Sequence, residues 1–265
     1  MSDSISFETV LYEQTGAVAT ITMNRPERRN ALNRALERDL TDALRRARDD
    51  AGVRALVLTG AGPSFCSGAD LSSFPEDYTG EHVRRHILEN YWPIVRLLAT
   101  MEKPTLAAIN GVAAGAGCSV ALACDLNVMA EDAFLLQAFS NIGLVPDAGS
   151  SWFLARQVGY HRAYEIAVEG ERIPAGRCLE LGLTNKVVPS DQLVTETRAW
   201  AAHLSKRPTL ALGLTKRAIR AAIISSLATT VELEAKLQAR CFESEDHAEG
   251  VMAFLQKREP AFKGR

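Results

Sequence analysis

Twice in this chain a short, buried-strand pattern runs into residues with little or no side chain, and that repetition restricts the possible folds more than any other feature. The first instance is residues 54–59 (RALVLT), a glycine- and proline-bearing loop at 60–63, and then Phe65-Cys66-Ser67-Gly68-Ala69-Asp70-Leu71. The second is residues 105–109 (TLAAI), followed by Asn110-Gly111-Val112-Ala113-Ala114-Gly115-Ala116-Gly117-Cys118 and a helix to Ala123. Small residues at a helix start let a ligand reach backbone N–H groups, whose aligned dipoles favour negative charge there. Two such junctions facing each other can clamp one oxyanion. The same glycines also serve close helix–strand packing, and composition alone does not separate the two readings.

Further strands are expected at 18–23, ending at the Asn24-Arg25-Pro26 turn, and at 125–130. Helical spacing of Leu36, Leu40, Ala43, Leu44 and Ala47 predicts a helix from Asn33, with Asn30 or Asn33 as its N-cap. A polar, proline-broken loop at 67–79 precedes a helix at 83–99. Beyond it, helices are expected at 150–159, 160–169, 175–181, 191–205, 209–222 and 228–243. The order is strand-rich early and helix-rich late, in the α/β class, with no repeat, low-complexity tract or linker to divide residues 1–265.

A formal charge of -2, with basic residues dispersed, excludes a nucleic-acid-binding surface. The five cysteines lack CxxC spacing and the five histidines lack an HExxH arrangement, so neither a disulfide framework nor a metal site is expected. Residues 1–10 are polar and acidic rather than signal-like, and no apolar stretch reaches spanning length. These features predict a cytoplasmic protein without a membrane partner.

Gly111, Gly115 and Gly117 also fit the GxxxGxG spacing with which short-chain dehydrogenases hold a dinucleotide. In those enzymes the motif is N-terminal and a Tyr-xxx-Lys pair follows. Here it lies mid-chain, and no tyrosine has a lysine four residues later.

Five ordered segments together resemble the enoyl-CoA hydratase/isomerase (crotonase) family. They are Asn24-Arg25-Pro26-Glu27 with Asn30-Ala31-Leu32; FCSGADL at 65–71; AAINGVAAGAG at 107–117 with Cys124-Asp125; IGLVPDAG at 142–149; and the ending from Glu249-Gly250 to Arg265. The resemblance implies a spiral of ββα turns over about residues 1–200 and a helical trimerisation region at 201–265, in a homotrimer or dimer of trimers. It implies an acyl-coenzyme A thioester substrate, with coenzyme A as part of the substrate and no separate cofactor. Matching the motifs gives an oxyanion hole formed by the backbone N–H groups of Ala69 and Ala116. Most relatives carry glycine where Ala116 stands, but a main-chain donor tolerates a methyl group if the backbone angles suit alanine.

Hydratases of the family usually carry two glutamates where this chain has Ser119 and Phe139. Asp147, in the Pro146-Asp147-Ala148-Gly149 turn, matches the acid that serves as base in one branch of Δ3,Δ2-enoyl-CoA isomerases and in the isomerase that expands an epoxidised phenylacetyl-CoA ring. One carboxylate suffices for a proton shuttle, so the expected activity is double-bond isomerisation. Hydration of a 2-enoyl-CoA and noncatalytic acyl-CoA binding are the alternatives. Read without the family, Asp147 is equally a turn or N-cap aspartate. The resemblance further implies that the adenine lies along Ser67, Gly68, Asp70 and Leu71, and that Arg28, Arg29 and Lys257 meet the phosphates. Gly115, Phe139, Ser119 and Gln137 would line the acyl site, the last two as hydrogen-bonding groups, while Asp70 shapes its loop.

Overall fold

A computed structural model describes residues 4–265; Met1 to Asp3, within the polar opening read above for targeting, lie outside the described residues. Strands β1 (Ser4–Ser6), β2 (Val10–Thr15) and β3 (Val18–Met23) form an antiparallel meander. Gly16, at φ +59, makes the tight turn between the last two. Helix α1 (Arg34–Asp49) carries the chain back so that β4 (Ala55–Gly60) pairs parallel to β3. The N-cap of α1 is Asn33, whose side chain accepts from the Leu36 N–H at 3.0 Å. Asn30 does other work: its side chain donates to the Ala61 and Ser64 carbonyls and accepts from the Arg25 N–H, which pins the loop after β3 to the loop after β4.

The next rounds repeat one pattern. After β4 come β5 (Ser64–Cys66), α2 (Gly80–His86), a π-helical turn at Ile87–Tyr91 and α3 (Trp92–Thr100). Then come β6 (Thr105–Ile109), β7 (Val112–Ala114) and α4 (Ala116–Ala123). The third round is β8 (Leu126–Ala130), β9 (Phe134–Leu136), α5 (Ser150–Val158) and α6 (Tyr160–Glu169). Strand β10 (Arg172–Pro174), helix α7 (Ala175–Glu180), strand β11 (Lys186–Val188) and helix α8 (Leu193–Ser205) follow.

Each round gives one long strand to a seven-stranded sheet, ordered β1-β2-β3-β4-β6-β8-β11, and one short strand to a four-stranded sheet, ordered β10-β9-β7-β5. This is the ββα spiral of the α/β class. The short strands β5, β7, β9, β10 and β11 add to the reading of the sequence, which took 110–117 as a small-residue run and assigned no element to 134–136, 172–174 and 186–188. A three-residue strand is too short to display a period, and only its pairing with a neighbour defines it.

Strands β3, β4, β6 and β8 are parallel and nearly in register, with Met23 beside Gly60, Leu58 beside Ala107, and Ile109 beside Met129. Their C-terminal ends therefore share one edge, and the loops at 24–33, 61–70 and 110–115 converge there, as ligand-binding loops do in parallel sheets. Ile21, Leu56, Leu58, Leu106 and Ile109 of the sheet are fully buried, as are Leu36, Leu40 and Leu44 of α1 and Ile94 and Leu98 of α3. Cys66, Cys118, Cys124 and Cys178 belong to this core, and burial pushes each thiol up to about 12. Among the described residues, no group of three potential metal ligands occurs, and no helix is long and apolar enough to cross a membrane.

Helices α9 (Thr209–Ala222), α10 (Leu227–Phe242) and α11 (Glu245–Gln256) end the chain. The final segment is not helical. It turns back at Lys257, φ +53, and is fastened where Arg54 donates to the Phe262 carbonyl at 2.7 Å.

Candidate active site

Gly68 and Gly115 bring the two small-residue junctions into contact. A Cβ on Gly68 would sit 2.9 Å from the Ala114 carbonyl oxygen and 3.6 Å from the Ala116 nitrogen, and Gly68 itself holds φ +95. Any side chain would both clash and be strained, so glycine is required for the approach. Gly117 answers the same need one turn deeper, because its Cβ would lie 2.3 Å from the Cys66 carbonyl oxygen.

Ala69 forms a parallel bridge with Leu32. The bridging bonds run from the Leu32 N–H to the Gly68 carbonyl at 2.7 Å and from the Asp70 N–H to the Leu32 carbonyl at 2.8 Å. In that arrangement the Ala69 N–H is directed away from Leu32. Ala116 is the first residue of α4, where an N–H lacks an intrahelical acceptor and lies at the positive end of the helix dipole. Its φ is not among the positive ones, so alanine is accommodated without strain, while the preceding Gly115 takes the strained angles φ 50, ψ -126. Both N–H groups thus stand where Gly68 brings the two junctions together.

Ser119, one turn along α4 from Ala116, ties this junction to Asp147 in the loop before α5. Ser119 Oγ, fully buried, donates to the Asp147 carbonyl oxygen at 3.0 Å and contacts the Gly115 carbonyl at 3.4 Å. Ser119 therefore holds the Asp147 main chain rather than presenting its hydroxyl as a separate acyl-site group. The N-cap of α5 is Gly149, without a side-chain cap bond, and the Ser150 N–H bonds to the Asp147 carbonyl rather than to its carboxylate. The capping role open to this aspartate in the sequence is thereby excluded. Its Oδ1 is buried and has no hydrogen-bond partner, and burial raises the carboxyl from 3.8 to about 6, against an opposing effect of His86. An acid poised near neutrality can both take and return a proton.

Other residues singled out in the sequence are distributed as follows. The Ser67 N–H donates to the Arg29 carbonyl at 3.0 Å, which lays the exposed Arg28–Arg29 loop beside the Ser67–Asp70 backbone. Asp70 accepts from Arg25 at 2.9 Å and from Ser72 at 2.6 Å. Its burial would raise the carboxyl, but these partners outweigh it and hold it below the usual range. Asp70 thus shapes its loop. Leu71 is exposed beside it, and Phe139 is buried with its ring edge 3.9 Å from where a Gly115 Cβ would stand.

Gln137 lies within the packed core, and Lys257 lies at the end of the last helix. Gln137 is fully buried, accepts from Ser150 Oγ at 2.8 Å and contacts Cys118 Sγ at 3.1 Å, so it braces the packing of α4 against α5. Lys257 is the C-cap residue of α11. The segment after it packs beside Arg54, at the start of β4 and away from the strand ends that carry Ala69.

Three residues of this region escaped the sequence reading. Glu37 of α1 accepts a 2.8 Å bond from His86 Nε2 of α2, and the Tyr91 ring packs edge-on against His86 with centroids 4.7 Å apart. The one available signal was Glu37 itself, a charge directly beside Leu36 and four residues before Thr41 on the buried side of an amphipathic helix.

The comparisons with known proteins agree with this geometry. The pattern describing Enoyl-CoA hydratase/isomerase matches residues 13–265. A probable enoyl-CoA hydratase of Rhodobacter capsulatus is 44% identical over 261 residues, covering 98% of this chain and 100% of that protein. A 1,2-epoxyphenylacetyl-CoA isomerase of Escherichia coli is 40% identical over 260 residues, covering 97% and 99%. The crystal structure of an enoyl-CoA hydratase from Bacillus anthracis superposes with a TM-score of 0.92 at 32% identity, covering 97% of this chain and 100% of that one. With the motifs and the spiral in agreement with these matches, the chain belongs to the enoyl-CoA hydratase/isomerase family.

Proposed function

We propose that this enzyme moves a double bond in an acyl-CoA, converting a 3-enoyl thioester to the 2-enoyl isomer with Asp147 as the proton carrier. The observation that carries the reading is a half-buried carboxylate whose Oδ1 has no hydrogen-bond partner and whose main chain is held by Ser119, one helical turn from Ala116, at a site where positions 119 and 139 hold no acid. The Asp147 carboxylate takes a proton from C2, and the electron pair delocalises onto the thioester oxygen. The N–H groups of Ala69 and Ala116 stabilise that dienolate oxyanion. The resulting carboxylic acid then returns the proton at C4 as the double bond settles between C2 and C3, so no atom is gained or lost.

Hydration is the second reading, favoured by the name of the Rhodobacter capsulatus relative. It needs one group to activate water and another to protonate the α-carbon. Asp70 is held by Arg25 and Ser72, and Glu37 is bonded to His86. A 3-enoyl-CoA and a 2-enoyl-CoA, followed by absorbance and by mass, separate the two. Isomerisation predicts conjugation of the 3-enoyl substrate without change of mass, falling at least a hundredfold in Asp147→Asn. Rapid addition of one water to the 2-enoyl substrate would establish the hydratase.

The assembly proposed is a homotrimer or a dimer of trimers. It is supported by the apolar side chains that α10 and α11 leave exposed, among them Leu227, Phe242, Phe254 and Leu255.

A further inference from the structure

The turn that carries Asp147 is held in a conformation its own residues do not favour. Ala148 stands at φ +49, and Gly149 after it at φ +81, ψ 3. Glycine takes such angles freely, but in alanine the Cβ crowds the following carbonyl oxygen, and alanine has no polar side chain to offset the strain. A turn aspartate commonly supplies the compensation, its side chain bonding to the backbone two residues on. Asp147 does not do so: its buried Oδ1 has no hydrogen-bond partner, and the Ser150 N–H bonds to its carbonyl instead. A strained residue persists only where the surrounding structure holds it, so the hold lies outside the turn.

That hold comes from α4. The Asp147 carbonyl oxygen accepts twice, from the Ser119 hydroxyl at 3.0 Å and from the Ser150 N–H at 2.9 Å. Ser150 is itself anchored: its Oγ donates to Gln137 Oε1 at 2.8 Å, and Gln137 Nε2 donates to Cys118 Sγ at 3.1 Å. Cys118 and Ser119 are consecutive residues of α4, whose first residue is Ala116. One helix thus carries the Ala116 N–H at its start and, within the next turn, both anchors of the strained segment. Ser119, Gln137 and Ser150 are fully buried, and Ala148 is 6% exposed. A site of this size closed to solvent admits no water in place of a deleted hydroxyl.

Resting on the reading of Asp147 as proton carrier, we propose that Ser119 is a positioning residue for it. The Ser119 hydroxyl clamps the turn at 147–149 in its left-handed conformation and so fixes the base relative to the Ala116 N–H. Ala148 is the sprung part of this device: released from the clamp, the turn relaxes and the carboxylate moves with it. The role therefore depends on the residue at 148, because glycine there is unstrained and needs no clamp.

The test compares Ser119→Ala, Ala148→Gly and the double variant in the full chain, with two readouts. The first is steady-state conversion of a 3-enoyl-CoA. In Ser119→Ala, kcat should fall about tenfold with KM unchanged, the mark of a misplaced base rather than lost binding. The second is exchange of the Ser150 amide hydrogen, which bonds to the same carbonyl and should exchange about tenfold faster in Ser119→Ala. Adding Ala148→Gly should restore both to within about threefold of the parent, since the turn is then relaxed where it stands. Parental kcat or a parental Ser150 exchange rate in folded Ser119→Ala overturns the proposal, as does a loss that Ala148→Gly leaves in place. Ser119→Cys, a weak donor of similar shape, replaces the alanine variant if that one does not fold. Full isomerase activity in Asp147→Asn would instead refute the base assignment, while the Ser150 exchange still reports whether Ser119 holds the turn.

Discussion

Asp147 combines a fixed main chain with an unpartnered carboxylate, and its residue-scale behaviour follows from that pairing. Burial raises the carboxyl from 3.8 to about 6, so the folded chain binds this proton more tightly than the unfolded chain. Stability from this group is complete below about pH 4, falls as pH rises to about 6 and stays lost above it, by up to about 3 kcal/mol. Asp147→Asn, which removes the buried charge, should therefore be more stable than the parent by about 1–3 kcal/mol at pH 8, with the gain disappearing near pH 4. Thermal melts of both proteins across this range check it, and identical curves at pH 8 would show that the carboxylate is not strained by burial. The catalytic counterpart is an acid limb in kcat/KM near pH 6, since the base acts deprotonated.

At the scale of an element, helix α4 sets the geometry through its first turn. Gly115 holds φ 50, ψ -126, and only then does the Ala116 N–H take its place opposite Gly68. A Cβ at Gly115 would meet only the edge of Phe139 at 3.9 Å, an ordinary contact, so substitution there tests backbone angle rather than space. Gly115→Ala should cost about 1–3 kcal/mol through strain. It should also lower kcat about a hundredfold by turning one oxyanion donor aside. Steady-state kinetics and a denaturant melt measure the two effects. A variant with parental kcat would mean that the Ala116 N–H does not serve the oxyanion. The alanine already present at 116 is compatible because its own φ is not positive.

For the molecule as a whole, the spiral buries its own sheets but leaves the C-terminal helices incompletely covered. Leu227 is 81% exposed and Phe254 82% exposed, and the groove between α9, α10 and α11, lined by Leu214, Ile219, Leu237, Val251 and Phe262, measures about 690 Å³. The proposed association would cover these exposed apolar side chains. Light scattering should give three or six times the chain mass, and Phe254→Asp combined with Leu255→Asp should shift the population towards smaller species. A monodisperse monomer of the parent protein at micromolar concentration would contradict the proposed trimer.

The sequence by itself determined the long parallel strands β3, β4, β6 and β8, the principal helices, the family and the two glycine-bearing junctions, because each carries its physical cause locally. A buried strand shows its apolar run, a helix its spacing, and a close backbone approach its small residues. It also placed Asp147 in the turn after Pro146, though not free of its alternative role as a cap. Only the tertiary structure decided that Gly149 caps the helix, that Ser119 fastens the Asp147 backbone, and that Gln137 braces the core. The same holds for β5, β7, β9, β10 and β11, and for the meeting of Glu37, His86 and Tyr91. These depend on contacts between residues far apart in the chain and, for His86 and Tyr91, on a π turn whose hydrogen bond no periodicity announces. The environment that raises the Asp147 carboxyl is made by residues packed around it, and burial is a property of the fold rather than of the residue.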